Sequence, residues 1–195
     1  MGAAELLEDE IEVGSVRLRL LRPRETDALI DESQFARDEY MPYWAELWPA
    51  AVALAREVET RPVAGADVLE LGCGLALPSL VAAARGARVT AVDWAPEAIA
   101  LLERNRARNH LALVAAVADW REPAPLVGKG PWDLVLASDV LYEDRNVDPL
   151  LALLPRLGRE VLLAEPGRPH AARFLAAAAH EWTVEAAPPI YRLTR

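Results

Sequence analysis

The sequence predicts an α/β fold in which a parallel sheet is covered by helices on both faces. From Asp67 onward, short apolar runs alternate with longer helical patterns, an alternation that is typical of parallel β–α–β units. The first run leads into a glycine-rich turn and then a helix, in the stretch VLELGCGLALPSL (Val68–Leu80). The 195 residues contain no internal repeat or low-complexity linker, so we expect one domain, residues 1–195.

Residues 67–195 should form the cofactor-binding core. The expected strands are Asp67–Leu71, Ala87–Asp93, Leu113–Asp119, Trp132–Ser138 and Glu160–Glu165. The third and fourth of these are predicted to be buried, because they are short, apolar and flanked by turn residues. Four helices are expected. The first follows the glycine turn and ends near Arg85, and the second runs from Pro96 to about Arg108. The other two lie near Val147–Leu157 and Ala171–Ala179. The segments WTVEAA and IYRLTR are predicted to form a terminal hairpin.

Residues 1–66 have a different pattern. Val16–Leu21 (VRLRLL) alternates like a strand, and residues 42–58 read as an aromatic loop that leads into an amphipathic helix. These residues do not include a separate set of apolar side chains that could form a second hydrophobic core. We therefore expect an N-terminal strand and helix extension packed on the core domain.

Composition narrows the class of protein. The net charge of −9 and the pI near 4.9 disfavour an extended nucleic-acid groove. No apolar run reaches membrane-spanning length, and the N-terminus is acidic, unlike a secretory signal. Cys73 is the one cysteine, and the three histidines lie far apart, so neither a disulfide framework nor a metal site is expected. We expect a monomeric cytoplasmic protein that binds neither nucleic acid nor membrane.

The glycine turn resembles nucleotide-binding turns but fits two of them poorly. A dinucleotide fingerprint requires G-x-G-x-x-G, and Gly72 and Gly74 satisfy its first two glycines. Leu77 occupies the third position, where a glycine would allow close packing of helix and strand. The GKG at residues 128–130 lacks both the Ser or Thr and the upstream glycine of a phosphate-binding loop.

Acidic residues at strand ends indicate a cationic ligand instead. Glu70 lies two residues before Gly72, and we expect its carboxylate to face the ligand, repelling a pyrophosphate and attracting a sulfonium or ammonium group. Asp93 ends the next strand, where it could accept hydrogen bonds from ribose hydroxyls. Asp119 and Trp120 could hold the adenine amine and ring. Together these residues predict an S-adenosylmethionine site.

Other side chains have more ordinary interpretations. Tyr40, Tyr43 and Trp44 are expected to be core residues, and Cys73 a small buried filler. Arg168 lies in the turn sequence EPGRPH, and its alternative role is contact with an acidic group of a substrate.

Several motifs resemble those of class I methyltransferases, over about residues 67–165. They are ELGCG, Asp93, Asp119-Trp120 and WDLVLASDVLY. With YWAELWPA upstream and EPGRP downstream, the chain is similar to the lysine methyltransferases that have a D-x-x-Y motif. Within this group it most resembles the electron-transfer-flavoprotein β-subunit lysine methyltransferases and their bacterial relatives, which are labelled nicotinamide N-methylase-like. The resemblance implies a Rossmann-like, seven-stranded, mostly parallel sheet ending in an antiparallel hairpin.

The resemblance also implies roles for individual residues. Two departures from the family pattern are Ala76, at the position of a third glycine, and a short C-terminal hairpin, which reduces the substrate platform. The implied assignments are Glu70, Gly72 and Gly74 at the methionine end of the cofactor, Asp93 at the ribose, Asp119 and Trp120 at the adenine, Trp48 against the cofactor, and Asp139 and Tyr142 at the acceptor.

The resemblance therefore implies methylation of a lysine side chain of a protein, with S-adenosylhomocysteine as the product. Asp139 is expected to orient the amine, although DVLY taken by itself would suit a capped turn with Tyr142 packed beneath it. Three alternatives stay open: a small-molecule N- or O-methyltransferase, a module that binds cofactor or partner without catalysis, and an NAD-dependent oxidoreductase.

Overall fold

The computed structural model describes residues 5–25 and 42–195, which form nine strands and six α-helices. The strands are β1 (Leu6–Val13), β2 (Val16–Pro23), β3 (Asp67–Leu71), β4 (Arg88–Asp93), β5 (Val114–Val117), β6 (Leu134–Ser138), β7 (Glu160–Ala164), β8 (Thr183–Ala187) and β9 (Ile190–Thr194). The helices are α1 (Pro49–Thr60), α2 (Leu77–Ala84), α3 (Pro96–Arg108), α4 (Ala124–Val127), α5 (Val147–Leu157) and α6 (Ala171–Ala178).

Seven of the strands form one mostly parallel sheet, in the order β5-β4-β3-β6-β7-β9-β8. The five strands from β5 to β7 are parallel, and β9 runs antiparallel between β7 and β8. Successive β–α units move outward through β4 and β5 and then return to β6 on the other side of β3. The strand order therefore reverses beside β3, and ligands of open α/β sheets bind at such a point, beyond the carboxyl ends of the strands.

Helices cover both faces of this sheet, as the sequence predicts. One hydrophobic cluster joins α1, α2, α3 and the β1–β2 hairpin to one face, and a second joins α4, α5 and α6 to the other. Strand β3 shows how the two faces are separated: Val68 packs in the first cluster, whereas Leu69 and Leu71 pack in the second. Alternation places Glu70 on the same face as Val68. Among the described helices, none is long and apolar enough to cross a membrane.

The predicted position of β5 is wrong in one respect. We expected a buried strand over Leu113–Asp119, but the strand is shorter and lies at the edge of the sheet. Val114 is 52% exposed and Val117 is 55% exposed. An apolar run indicates a strand but carries no information about its place in the sheet, so centre and edge were indistinguishable from the sequence.

The N-terminal extension contains a hairpin of which only half was predicted. Strand β2 includes the predicted Val16–Leu21, and β1 pairs with it antiparallel through a turn at Gly14, whose φ is +55°. The sequence of β1, LLEDEIEV, is unusually acidic for a strand. Arginines pair with three of these acids, in the ion pairs Glu12–Arg17, Asp9–Arg22 and Glu8–Arg108, and Arg24 pairs with Glu5 just before the strand.

Two asparagines of the α3 region attach this hairpin to the core. The amide of Asn105 accepts from the Leu21 N–H at 2.7 Å and donates to the Leu21 carbonyl at 3.0 Å. Asn109 makes the same pair of bonds to Arg19, each at 2.8 Å. Residues four apart on a helix are separated along its axis by about 6 Å, close to the spacing of about 6.6 Å between alternate residues of a strand. The two amides therefore bond alternate residues of β2 as a neighbouring strand would.

Replacing Asn105 by Ala should lower the free energy of unfolding by about 3 kcal/mol, because two buried backbone groups of Leu21 lose their partner. Asn109→Ala is the matched control. It breaks the same type of contact at a more exposed position, where water can replace the amide, so the expected loss is about 1 kcal/mol. Urea denaturation measures both values, and equal losses would contradict the role given to burial.

Candidate active site

A cavity of about 230 Å³ lies at the carboxyl ends of β3, β4 and β6. The glycine turn after β3, the loop after β6 and the aromatic segment before α1 form its walls. Seven of the nine site residues predicted from the sequence line this cavity: Trp48, Gly72, Gly74, Asp93, Trp120, Asp139 and Tyr142. The other two, Glu70 and Asp119, do not. Six of the seven end or follow strands of the sheet, whereas Trp48 reaches the cavity from the start of α1.

The glycine turn depends on left-handed backbone conformations. The φ angles are +61° at Gly72 and +52° at Gly74, a region that residues with a Cβ rarely adopt. A Cβ on Gly72 would lie 3.1 Å from the ring of Trp120, and one on Gly74 would lie 3.1 Å from the Trp44 carbonyl oxygen. Glycine at these positions lets two tryptophan-bearing segments approach the turn closely. Ala76 also has a left-handed φ, +57°.

Asp93 connects the glycine turn to the next β–α connection. Its Oδ2 accepts from the Gly74 N–H at 2.9 Å, and its Oδ1 accepts from the Ala95 N–H at 3.0 Å. Burial raises the pKa of this carboxyl group, although the backbone hydrogen bonds act in the opposite direction. The Trp94 backbone N–H also donates to this carboxylate, and a carboxylate has about four acceptor sites, so Asp93 keeps acceptor capacity for a hydroxyl group in the cavity.

Glu70 does not face the cavity as the sequence argument expected. The residue is fully buried on the sheet face that α2 covers, and its Oε2 accepts from the Ser79 N–H at 3.0 Å. Its Oε1 is buried without a hydrogen-bond partner. Burial raises the pKa of Glu70 to about 8. The strand-end position is right, but the alternation of side chains along β3 turns this carboxyl group under the first turns of α2.

Asp119 is also turned away from the cavity. Its carboxylate accepts from the Arg121 backbone N–H at 2.8 Å and pairs with the Arg121 guanidinium at 2.6 Å. Burial would raise the pKa of Asp119, but the hydrogen bonds from Arg121 outweigh this effect and lower the pKa. A cationic partner two residues away satisfies this carboxylate locally, whereas the adjacent Trp120 lines the cavity.

The aromatic segment before α1 contributes to both the cavity and the core. Tyr43 is 44% exposed, so its assignment to the core is wrong. Trp44 is partly buried and packs against the first hydrophobic cluster, as expected, and it also lines the cavity. The ring of Tyr43 lies 5.3 Å from that of Tyr142 and 6.3 Å from that of Trp48, between centroids. The Trp48 Nε1–H donates to the Tyr43 carbonyl at 2.7 Å. The expectation for Tyr40 falls outside the described residues.

Trp94 is a lining residue that the sequence reasoning missed. It is 40% exposed and follows Asp93 directly, at the start of the loop that leads from β4 to α3. Its position immediately after a strand-end acid was the available signal. Cys73, by contrast, is buried as expected, and burial raises the pKa of its thiol.

Asp139 and Tyr142 lie on the loop after β6. Asp139 has a left-handed φ of +53°, its N–H donates to the Ala164 carbonyl at 2.8 Å, and its carboxylate pairs with Arg168. The Asn146 side chain donates to the Val140 carbonyl at 3.0 Å and so braces the loop. Burial, and then the nearby Glu143 carboxylate, raise the pKa of Tyr142 to about 12. Its hydroxyl is therefore protonated at neutral pH and acts as a hydrogen-bond donor.

Carboxyl groups dominate the charge of the cavity. Among the described residues that line it, Glu46, Asp93, Asp139 and Glu143 are acidic and Arg168 is basic. Arg145, outside the lining, pairs with Glu143, and the lining carboxylates still outnumber the guanidinium when Asp93 carries a proton. A cationic ligand is favoured in such a cavity and a pyrophosphate is disfavoured. In residues 5–25 and 42–195, no group of three or more His, Cys, Asp or Glu side chains is placed to hold a metal ion.

Ala76→Gly should raise the free energy of unfolding by about 1 kcal/mol. A left-handed conformation costs a residue with a Cβ about 1–2 kcal/mol, and the larger unfolded-state entropy of glycine offsets part of the gain. Ala83→Gly in α2 is the matched control, since the same replacement in a right-handed helix costs about 1 kcal/mol. Changes of the same sign in urea denaturation would rule out strain at Ala76.

The buried Glu70 should make stability fall as the pH rises. Between its ordinary pKa of 4.5 and the native value of about 8, the native protein keeps a proton that the unfolded chain releases. Glu70→Gln cannot titrate, so its stability relative to the wild type should increase from pH 5 to pH 8. Denaturation series of both proteins test this, and the titration of Asp93 is common to both. A constant difference over that range would show that Glu70 is ionised in the native state.

Solved structures share this fold. A Thermus thermophilus 16S rRNA N2 G1207 methyltransferase, in complex with AdoMet and guanosine, superimposes with a TM-score of 0.69 over 96% of this chain and 49% of its own, at 14% identity. The magnesium protoporphyrin IX methyltransferase of Synechocystis PCC 6803 with bound SAH superimposes with a TM-score of 0.62 over 75% of this chain and 81% of its own, at 16% identity. These similarities confirm the Rossmann-like fold of class I methyltransferases.

Curated relatives are more similar in sequence. The electron transfer flavoprotein beta subunit lysine methyltransferase of Danio rerio is 37% identical over 134 residues, which are 65% of this chain and 51% of the relative. Its Xenopus laevis counterpart is 33% identical over 168 residues, 78% of this chain and 63% of the relative. The Xenopus laevis histone-arginine methyltransferase METTL23 is 31% identical over 150 residues, 74% and 62% respectively. The chain thus spans between half and two thirds of the length of these relatives.

A family profile described as lysine methyltransferase matches residues 34–171. The match contains the aromatic segment, the glycine turn, Asp93 and the D-x-x-Y motif, which together build most of the cavity. The resemblance seen in the sequence motifs is confirmed, and the chain belongs to the lysine methyltransferase family.

Proposed function

We propose that the protein is an S-adenosylmethionine-dependent N-methyltransferase that methylates a lysine side chain of a protein. The observation that carries this proposal is the single cavity in which a glycine turn, the buried Asp93 and the D-x-x-Y loop meet, with carboxyl groups in excess. Membership of the lysine methyltransferase family supports lysine as the acceptor. The METTL23 relatives are named for arginine, which makes an arginine side chain the second candidate acceptor.

The lining residues fit this cofactor. Asp93 has free lone pairs for ribose hydroxyls, and Trp120 offers a flat apolar surface next to the glycine turn for the adenine. Trp48 and the turn residues Gly72 and Gly74 would border the rest of the cofactor. The excess of carboxylates suits a ligand with an ammonium and a sulfonium group and disfavours the pyrophosphate of NAD. Glu70 would act indirectly, by holding the start of α2 through Ser79.

S-adenosylmethionine, when bound, supplies an electrophilic methyl group whose bonding electron pair stays with sulfur as the acceptor nitrogen forms its new bond. The protein chiefly has to place the acceptor nitrogen in line with that methyl group. Asp139 would accept a hydrogen bond from the amine, and the rings of Tyr142 and Tyr43 would flank the alkyl chain. Tyr142 stays protonated at neutral pH, so it orients the acceptor rather than removing its proton, which leaves for water.

The wider biological setting is part of the same proposal. The net charge of −9 supports a protein acceptor over nucleic acid. We propose that the enzyme acts as a monomer in the cytoplasm.

A labelling experiment tests the reaction and the acceptor. Radiolabelled S-adenosylmethionine is incubated with the enzyme and with recombinant electron transfer flavoprotein beta subunit, and separately with lysate of the source organism. We expect a labelled protein that yields methyl-lysine on hydrolysis, with labelling at least tenfold slower for Asp139→Asn. Asp148→Asn is the matched control, because this exposed residue of α5 lies outside the cavity.

The other outcomes select among the alternatives. Methyl-arginine in the labelled protein would move the acceptor to arginine, and label confined to small molecules would indicate a small-molecule methyltransferase. Calorimetry with S-adenosylhomocysteine and NAD tests the cofactor: we expect binding of the first, weakened at least tenfold by Asp93→Asn. Binding of NAD without binding of S-adenosylhomocysteine would overturn the proposal, and binding without any transfer would indicate a non-catalytic module.

A further inference from the structure

Arg168 is held in the cavity wall by contacts of both its backbone and its guanidinium group. It lies in the turn that follows β7, and the buried Glu165 fixes the backbone of this turn. The Oε1 of Glu165 accepts from the Gly167 N–H at 2.8 Å and from the Arg168 N–H at 2.5 Å. The guanidinium carbon of Arg168 lies 5.8 Å from the ring centroid of Trp48, within cation–π distance. The side chain is therefore positioned from its backbone and from one face of its guanidinium.

The same guanidinium binds Asp139 with two parallel hydrogen bonds. Arg168 Nε donates to Oδ1 at 2.8 Å, and Nη2 donates to Oδ2 at 2.7 Å. The Asp139 side chain is 7% exposed and that of Arg168 is 36% exposed. The pair raises the pKa of Arg168, so the arginine stays charged. This arrangement cancels the charge of Asp139 and fixes its plane, while each oxygen keeps a lone pair for one more donor.

This geometry matters because a protonated amine has no lone pair with which to attack a methyl group. A carboxylate without a counter-ion stabilises an ammonium ion nearby and so keeps an acceptor lysine protonated. Other ionisable groups also face this region: Tyr43, Glu46, Asp93, Tyr142 and Glu143 across the cavity, Glu165 behind the turn, and Arg145, which pairs with Glu143. Among the described lining residues, Arg168 is the guanidinium, and its ion pair is with Asp139.

We infer that Arg168 is a positioning residue of the proposed methyl transfer: it fixes the Asp139 carboxylate and cancels its charge, so that the acceptor amine is oriented without being held as an ammonium ion. This inference rests on the proposed function. In this role Asp139 orients a neutral amine and does not anchor a cation. The proton leaves for water before the nitrogen lone pair forms the new C–N bond.

The pH dependence of kcat separates this electrostatic role from a purely structural one. Its rising limb reports deprotonation of the acceptor amine in the enzyme–substrate complex. In Arg168→Met the uncompensated Asp139 should move this limb to higher pH by about one unit, since an opposite charge within a few ångströms typically shifts a pKa by 1–3 units. At pH 7 the variant should be about tenfold slower, and its rate should approach that of the wild type at high pH. Its KM should not increase, because the bare carboxylate binds an ammonium ion better.

Three further variants make the interpretation specific. Arg168→Lys keeps the charge but loses the two parallel hydrogen bonds to Asp139. The rising limb of its pH profile should therefore stay at the wild-type pH, while its rate falls at every pH. The double variant Asp139→Asn with Arg168→Met removes both charges and should also return the limb to the wild-type position. Arg173→Met is the control, since Arg173 pairs with Asp144 and Asp148 on the surface. The acceptor is the protein labelled above, with electron transfer flavoprotein beta subunit used first.

The outcomes distinguish this inference from the proposed function. A wild-type enzyme that labels its acceptor, together with an Arg168→Met variant slowed equally at every pH, would overturn the role of Arg168 alone. A wild-type enzyme that labels nothing overturns the proposed function, and this inference with it. Binding of S-adenosylhomocysteine within about threefold of wild type shows that a variant retains its fold and cofactor site. If Arg168→Met does not fold, the double variant and Arg168→Lys still decide, because a displaced limb in either would contradict the inference.

Discussion

The hydrogen bonds of Asp93 hold together the two backbone segments on which the cavity depends. One carboxylate oxygen binds the N–H of Gly74 in the turn after β3, and the other binds the N–H of Ala95 in the connection after β4. The Cys73 N–H adds a bond to the Val92 carbonyl at 3.0 Å, which ties the same turn to the end of β4. Once this turn is fixed, Trp120 and Trp44 can pack against its glycines and the remaining walls follow.

Much of the fold was predictable because the turn and helix-end residues agree with the hydrophobic periodicity along the core. Strand β3 and helices α3 and α5 have the predicted bounds, and Pro96 begins α3 as expected of a proline at a first helical position. Strand β1 was missed because its acids contradict β propensity, and only the arginines across the hairpin make that sequence compatible with a strand.

The sequence predicted where most residues of the candidate site lie in the fold, but it predicted the orientation of their side chains less well. Strand-end acids converge at one edge whatever the details of packing, so Asp93 and Asp139 were recognisable. The orientation of Glu70 depends on which face α2 covers, and that of Asp119 depends on a salt bridge with Arg121. The electrostatic case for a cationic cofactor does not depend on Glu70, because the described residues that line the cavity still include four with carboxyl groups and one with a guanidinium.

The two asparagines that bond β2 also affect how the protein behaves among other proteins. The side of β2 away from β1 would otherwise present the free N–H and C=O groups of Arg19 and Leu21. An unpaired strand edge of this kind can recruit a strand from another chain and begin aggregation. Because Asn105 and Asn109 occupy these groups, a helix closes the edge of a strand without a further strand being added to the hairpin.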